Sequence, residues 1–435
     1  MLLALLLAQV LPANPEGPIF TNPAAMGRYA FFEAFPSSGA GTSGACSTTP
    51  PTGAKGEALT FARTGNATCT RTASGGLATT GIANGDLVVM SADQPRVEYD
   101  SAGTLGLLVE SSRTNYVLRS QELANGVWVA LGAGGAAAPT VTATYATGPD
   151  NGTTATRVQV NACAGVSQAS VVYQNYTGTA AAFVGAPYLR GTSGSGTINV
   201  YFYDTTAGTG NAVQCSFVAD SWTRCAPVSK AFANTTHRIG FGCLNDAVVT
   251  SSTNTGATDV LIYGAQSEPG TYLTSYIPTT SAAVTRNAET ATFDLGAGSP
   301  LRAESMSMAL THTLSGLNPG IQGVMNVNAG SSGATSGTDS MWAYFSSGGS
   351  LRCLASVASA TGTVTLVTTP ARTWCSSTAS SVSGSSNGVA MASSGAPTPG
   401  AQPARWVNVG ASPFPYQNDG VFSRVCVDPV PTRCR

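Results

Sequence analysis

The chain has 435 residues, more than one domain usually holds, so two or three compact units are expected. Charged residues make up 9% of it, against roughly 25% in ordinary soluble domains, and the formal net charge is −1. With acids and bases scattered there is no basic stripe for a nucleic-acid backbone and no lysine cluster for an anionic membrane.

Taken in order, the chain opens with "MLLALLLAQVLPANPEG". Residues 1–13 read as a secretory signal segment, far short of the roughly 20 apolar residues a membrane span requires. Residues 14–57 form a Pro/Gly/Ser-rich leader with one aromatic cluster, "RYAFFEAF". From there the texture is short alternating runs of aromatic and β-branched residues between Gly, Asn, Asp and Pro clusters, the pattern of many short strands.

The 58–121 segment reads as an N-terminal β segment containing "LTFARTGNATCTR", "PRVEYD" and "GLLVE", the last too uniformly apolar for an exposed strand. Residues 122–286 follow with "TATRVQV", "ASVVYQNY", "TINVYFYD", "AVQCSFV", "HRIGFGC" and "TDVLIYGAQ", whose number and spacing predict a jelly-roll sandwich. Residues 287–435 begin with "MSMALTHTL" and end with "VFSRVCVD", and their Gly/Ser tracts, including "SSVSGSSNG", read as long loops. The fold class expected is all-β, tandem β-sandwiches with few helices.

Ten cysteines, two histidines and no Cys-x-x-Cys pair argue for disulfides in an oxidising compartment and against zinc. In "VQCSFVADSWTRCAPV" a hairpin folded about Asp220 would set Cys215 across from Cys225, at the about 4.5–5.5 Å Cα separation a disulfide tolerates. Proximity adds Cys46 with Cys69, Cys163 with Cys243, Cys353 with Cys375 and Cys426 with Cys434. Free buried thiols are the alternative for each.

For chemistry the residues offer little. Glycoside hydrolysis requires two carboxylates within about 5–10 Å, yet Glu289, Asp294, Glu304, Asp339, Asp419 and Asp428 in the last unit include no alternating pair. "GSSNG" at Gly384 to Gly388 spells a nucleophile elbow without the strand and helix that motif requires, which makes Ser386 a loop residue. "GAGTSG" at Gly39 to Gly44 spells a dinucleotide fingerprint inside a linker. His237 and His312 read as hydrogen-bonded structural residues. The acceptor motifs at Asn66, Asn151, Asn175 and Asn234 would carry glycans only in a eukaryotic secretory pathway.

The stretch "GTINVYFYDTT" carries more. In an extended strand Ile198, Val200 and Phe202 point one way, into a core, and Asn199, Tyr201 and Tyr203 the other. Two phenol rings, an amide and the terminal Asp204 are the composition of a glycan platform, and equally of an outer sheet face covered by amphipathic tyrosines. Trp128, Arg190, Tyr173, Tyr176, Gln174 and Tyr188 are further candidates. No cofactor is expected. A structural calcium ion, with oxygens from Glu110, Asp246 or Glu268, lacks a clustered acidic loop.

The strings "LTFARTGNATCT", "PRVEYD", "GLLVESSRTNYVLRS", then Trp128 and "GAQSEPGTYLTSYIPTTSAAVTR" resemble, in that order, a module of phage tail-fibre-like and bacterial surface proteins with a carbohydrate-binding-module-like jelly roll. The likeness spans about residues 58–286. One departure is Ser267 before Glu268, where the pattern has an aliphatic residue. The final unit resembles a concanavalin A-like, laminin G-like sandwich. The resemblance implies a secreted or cell-surface, non-catalytic, lectin-like protein that binds a glycan or cell-surface polysaccharide. The competing readings are an adhesive or fibre-like structural protein, whose low charge favours self-association, and an enzyme with an unrecognised site.

Overall fold

The computed structural model describes residues 45–47, 59–71, 81–99, 105–250, 256–296 and 299, and in the last third 306–314, 322–328, 340–346, 350–355, 358–362, 371–378, 380–392, 395–397, 406–409 and 420–428. The expected signal segment and nearly all of the leader lie outside these residues. The protein is all-β: strands and turns account for the regular structure of the described residues, and none of their helices is long and apolar enough to cross a membrane.

Two sandwiches carry the chain. In the first, one sheet runs in the order Val249–Thr250, Thr209–Phe217, Gly196–Asp204, Thr236–Asn245, Gln168–Thr177, Val129–Ala133. The opposing sheet runs Thr223–Arg224, Ala182–Gly191, Thr258–Pro269, Ala155–Val160, Thr140–Ala146, with Val228–Ala231 also paired to Ala182–Gly191. Their inner faces alternate with period two, so Ile198, Val200 and Phe202 meet Ile239, Phe241, Val260 and Ile262 in one buried core.

The second sandwich draws on both ends of the described chain. One sheet is ordered Leu59–Ala62, Thr290–Asp294, Trp406–Val409, Gln322–Asn328, Ser340–Phe345, Leu351–Ala355, Ala358–Gly362. The other is ordered Val389–Ala390, Ser381–Ser386, Ala371–Thr378, Met306–Leu314, Gly420–Asp428, Leu105–Val109, Arg96–Tyr99. Leu59 and Phe61 therefore share a core with Phe293, Leu107, Val109, Met308 and Leu310. Leu59–Ala62, Arg96–Tyr99 and Leu105–Val109 complete this sandwich, Ala67–Thr70 and Leu87–Met90 forming a two-stranded sheet of their own, and the first sandwich is inserted between them and its remainder. Arg113–Asn115 pairs antiparallel with Val284–Arg286, which places the insert's entry and exit side by side.

Among the described residues four disulfides join Cys46–Cys69, Cys163–Cys243, Cys215–Cys225 and Cys353–Cys375, with Cα separations of 5.4 to 5.9 Å. The expected hairpin at Cys215 is not what brings its pair together. Cys215 lies on one sheet and Cys225 follows Thr223–Arg224, which pairs with Tyr188 and Leu189 on the other, so the bridge crosses the sandwich. Trp222 turns the chain away by bridging to Ile82. Cys353–Cys375 likewise joins opposite sheets, whereas Cys163–Cys243 ties the connection after Ala155–Val160 to Thr236–Asn245. For the Cys426–Cys434 expectation, Cys434 lies outside the described residues.

The Ser/Gly tract near residue 384 is also not a loop. Ser381–Ser386 pairs with Ala371–Thr378, and Asn387 and Gly388, both at positive φ, turn the chain back into Val389–Ala390. Ser386 is thus a buried strand residue bonded by Thr373 Oγ1 at 3.0 Å, with no helix following it. Small residues are required there: a Cβ on Gly384 would run into Met391 and the Cys353 sulfur.

Candidate functional site

Each outer face of the first sandwich meets a different environment. On the second sheet, Tyr188, Leu261 and Tyr263 pack against Ile82, Leu87, Trp222 and Tyr276. That face is covered by the chain's own 81–90 segment, pinned by Gly85 N–H and Leu87 N–H donating to Pro149 O at 2.9 Å each. The first sheet's outer face instead gathers Ala169, Val171, Tyr201, Leu244 and Val249, edged by the half-buried Leu131, Tyr173, Tyr203 and Ala212.

Strand register sets the centre of this face. Asn175, Arg238 and Tyr203 lie in one row across three strands, and Tyr173, Gly240 and Tyr201 in the next. Gly240 has no side chain because the Tyr201 ring lies across it, leaving no room for a Cβ. The Arg238 guanidinium stands 4.0 Å from the Tyr173 ring centroid and 5.5 Å from that of Tyr203, and its Nε donates to Asn175 Oδ1 at 2.8 Å. Tyr173, Tyr203 and Arg238 are half-buried, and Asn175 and Gln214 exposed. Rings, amides and one cation thus share a face that reaches solvent.

The residues expected to form a platform separate on this geometry. Asn199, Tyr201 and Tyr203 do project to the outer face, as alternation requires, but only Tyr203 is open. Tyr201 is 3% exposed, and burial pushes its phenol far above the usual range, with the nearby Arg238 acting in the opposite direction. Asn199 is buried, its amide directed at Leu244 O. Asp204 is buried as a turn acceptor for the backbone N–H groups of Thr206 and Ala207 and the Asn234 amide; these hydrogen bonds outweigh burial and lower its carboxyl. Trp128 belongs to the core, against Phe241, with Nε1 donating to Arg119 O at 3.2 Å. Arg190 lies over Trp222 on the covered face and donates to Asn84 Oδ1 at 2.9 Å, clamping the 81–90 segment.

Among the further candidates, Tyr173 joins the open face while Tyr176 and Gln174 point inward and Tyr188 is covered. Arg238 and Gly240 were not singled out from the sequence. The signal for them is the alternation in "HRIGFGC", where Arg238, Gly240 and Gly242 interleave with Ile239, Phe241 and Cys243: apolar residues facing in, glycines out.

The other titratable groups are occupied structurally. The calcium expectation meets a guanidinium cluster: Glu110 accepts from Arg96 Nη2 at 2.6 Å and from Ser275 N and Oγ at 2.8 and 2.6 Å, and pairs with Arg286 at 3.0 Å. Glu268 accepts from Thr274 N and Oγ1 and from Gln266 Nε2, and Asp246 caps the turn at Val248. No group of three candidate metal ligands occurs among the described residues. His237 is buried and stacked on Phe232 at 3.7 Å, with Nε2 at 2.8 Å from Asn234 O, and burial lowers its pKa. Burial pushes His312 down to about 4.

No protein-family model and no curated protein matches the chain. Among solved structures, similarity is found to the N-terminal CBM22-1–CBM22-2 tandem domain of Xyn10C from Paenibacillus barcinonensis, at 9% identity and a TM-score of 0.24, over 74% of this chain and 98% of that one. Domains LG4-5 of the mouse laminin α1 chain are similar at 13% identity and a TM-score of 0.19, over 62% of this chain and 86% of that one. The all-β sandwich class rests on the strand order and the two cores described above.

Proposed function

We propose that this protein is a non-catalytic glycan-binding protein acting outside the cytoplasm, with the outer face of its first sandwich as the binding surface. One observation carries the reading. Of the two outer faces of that sandwich, one is covered by the chain itself over Tyr188, Leu261 and Tyr263, and the other holds Tyr173, Arg238 and Tyr203 beside the amides of Asn175 and Gln214 at the solvent boundary. Ring flanks suit the apolar C–H faces of sugars, and amides and a guanidinium suit their hydroxyls. The bound partner is a polysaccharide at a cell surface. The disulfides support a setting outside the reducing cytoplasm.

A glycan array probed with the full chain tests this. Specific binding is expected, weakened about tenfold or more by Tyr203→Ala or Tyr173→Ala, as for a ring that stacks on its ligand. No binding above background, or binding indifferent to both substitutions, would overturn it. Tyr201→Ala is the wrong probe, because that ring is a packing element over Gly240.

A further inference from the structure

Arg238 differs from the arginines that the fold pairs with acids. Arg63, Arg96, Arg119, Arg157 and Arg286 each reach a carboxylate within 3.3 Å. No carboxylate of the described residues lies in ion-pair reach of Arg238, which is held by the Asn175 amide and the rings of Tyr173 and Tyr203. The acid nearest in sequence on the neighbouring strand, Asp204, is turned into its own loop and already accepts from Thr206, Ala207 and Asn234. The other outward residues of the sheet are Val129, Leu131, Val171, Asn175, Asn199, Gln214 and Leu244 with their tyrosines, all uncharged. Arg238 is therefore the charged side chain among these outward strand residues, with Lys230 at the sheet's edge bonded to Thr209 Oγ1 at 3.2 Å, and the local field is positive.

Resting on the proposed glycan reading, we infer that the ligand of this face is anionic, a polysaccharide carrying uronate carboxylates, with Arg238 receiving the carboxylate between Tyr173 and Tyr203. A guanidinium that gives its flat side to a ring keeps its in-plane N–H groups free, and that fork matches a carboxylate. Nε is committed to Asn175 Oδ1 and the Tyr201 hydroxyl takes a further guanidinium hydrogen bond, so the ligand falls to the remaining Nη N–H groups. The amide and the ring beneath fix the plane before the ligand arrives, which lowers the ordering cost of binding. A neutral sugar would use the rings and amides and leave the charge unanswered.

The experiment is calorimetric titration of the full chain with polygalacturonate, with the same polymer after carboxyl reduction, with dextran sulfate and with a panel of neutral glycans. Expected are binding to polygalacturonate that weakens as salt is raised, a loss of about tenfold or more on carboxyl reduction, a similar loss in Arg238→Gln, and an intermediate loss in Arg238→Lys, which keeps the charge without the fork. Equal binding of the reduced polymer, unchanged binding by Arg238→Gln, or dextran sulfate binding as tightly as polygalacturonate overturns the inference. Binding to neutral glycans alone overturns it and leaves the glycan reading standing; binding to nothing in the set overturns both. If Arg238→Gln fails to fold, the comparison of native and reduced polymer on the unaltered protein still decides.

Discussion

Arg96 and Glu289, 193 positions apart in sequence, meet in a two-pronged ion pair, Nε to Oε1 at 2.9 Å and Nη2 to Oε2 at 2.6 Å. Arg63 adds a second guanidinium to Glu289 Oε1 at 2.8 Å, and the Glu110 N–H donates to Oε2 at 2.8 Å. All of these side chains are fully buried. The "PRVEYD", "GLLVE", "TSYIP" and "TRNAE" stretches are thus parts of one ionic junction where the inserted sandwich leaves and re-enters the other.

Removing the shared acid tests the junction. Glu289→Gln leaves the buried Arg63 without a carboxylate and Arg96 with Glu110 alone, and loss of one partner from a buried pair costs about 3–5 kcal/mol. Urea unfolding should show a drop of that size. A loss below about 1 kcal/mol, the scale of an exposed pair, would mean that the cluster is solvated in solution.

Acid should loosen the same junction in a defined window. Burial alone would raise the Glu110 carboxyl, but Arg286 and Arg96, helped by Ser275, hold it at about 2, below its ordinary 4.5. Because the folded-state value is the lower one, the stabilisation is fully present above about pH 4.5 and is lost as pH falls toward 2. Glu268 is shifted upward by burial and contributes with the opposite slope, so the readout is the difference between unaltered protein and Glu110→Gln. That difference in unfolding free energy should shrink across the window; a difference independent of pH would show that Glu110 does not titrate as placed.

The two disulfides of the first sandwich should differ in weight. Cys163–Cys243 closes a separation of 80 residues and Cys215–Cys225 one of 10. On loop entropy alone these correspond to about 4.5 and about 2.8 kcal/mol. Paired Cys→Ser variants, compared by thermal unfolding, should rank in that order. Equal losses would indicate that strain or residual structure in the unfolded chain dominates.

The alternation of single strands was legible because it is local: Ile198, Val200 and Phe202 against Asn199, Tyr201 and Tyr203 follows from period two alone. Pairing between strands was not. Leu59 finds Phe293, and Val109 finds Gly420, across hundreds of residues, and no local residue pattern encodes such a partner. The open face was half legible for the same reason. Tyr203 could be placed outward, but that Arg238 would lie beside it, and that Gly240 would let Tyr201 sink out of reach, depends on register between strands. Ser381–Ser386 was missed because serine and glycine carry no apolar alternation even where packing demands them.

Gly240 offers the last test, since it shapes the face without touching a ligand. A methyl group there has no space, for the carbon would collide with Tyr201 at Cζ, Cε1 and the hydroxyl, a ring enclosed by Val171, Leu244 and Val249. Gly240→Ala must therefore lift the ring toward Arg238 and Tyr203. Overpacking of this kind costs about 1–3 kcal/mol. The expected result is a folded protein of lowered melting temperature whose glycan affinity falls together with that of Tyr203→Ala. Retained affinity at lowered stability would place the binding surface elsewhere, because a displaced Tyr201 cannot leave the row beside it undisturbed.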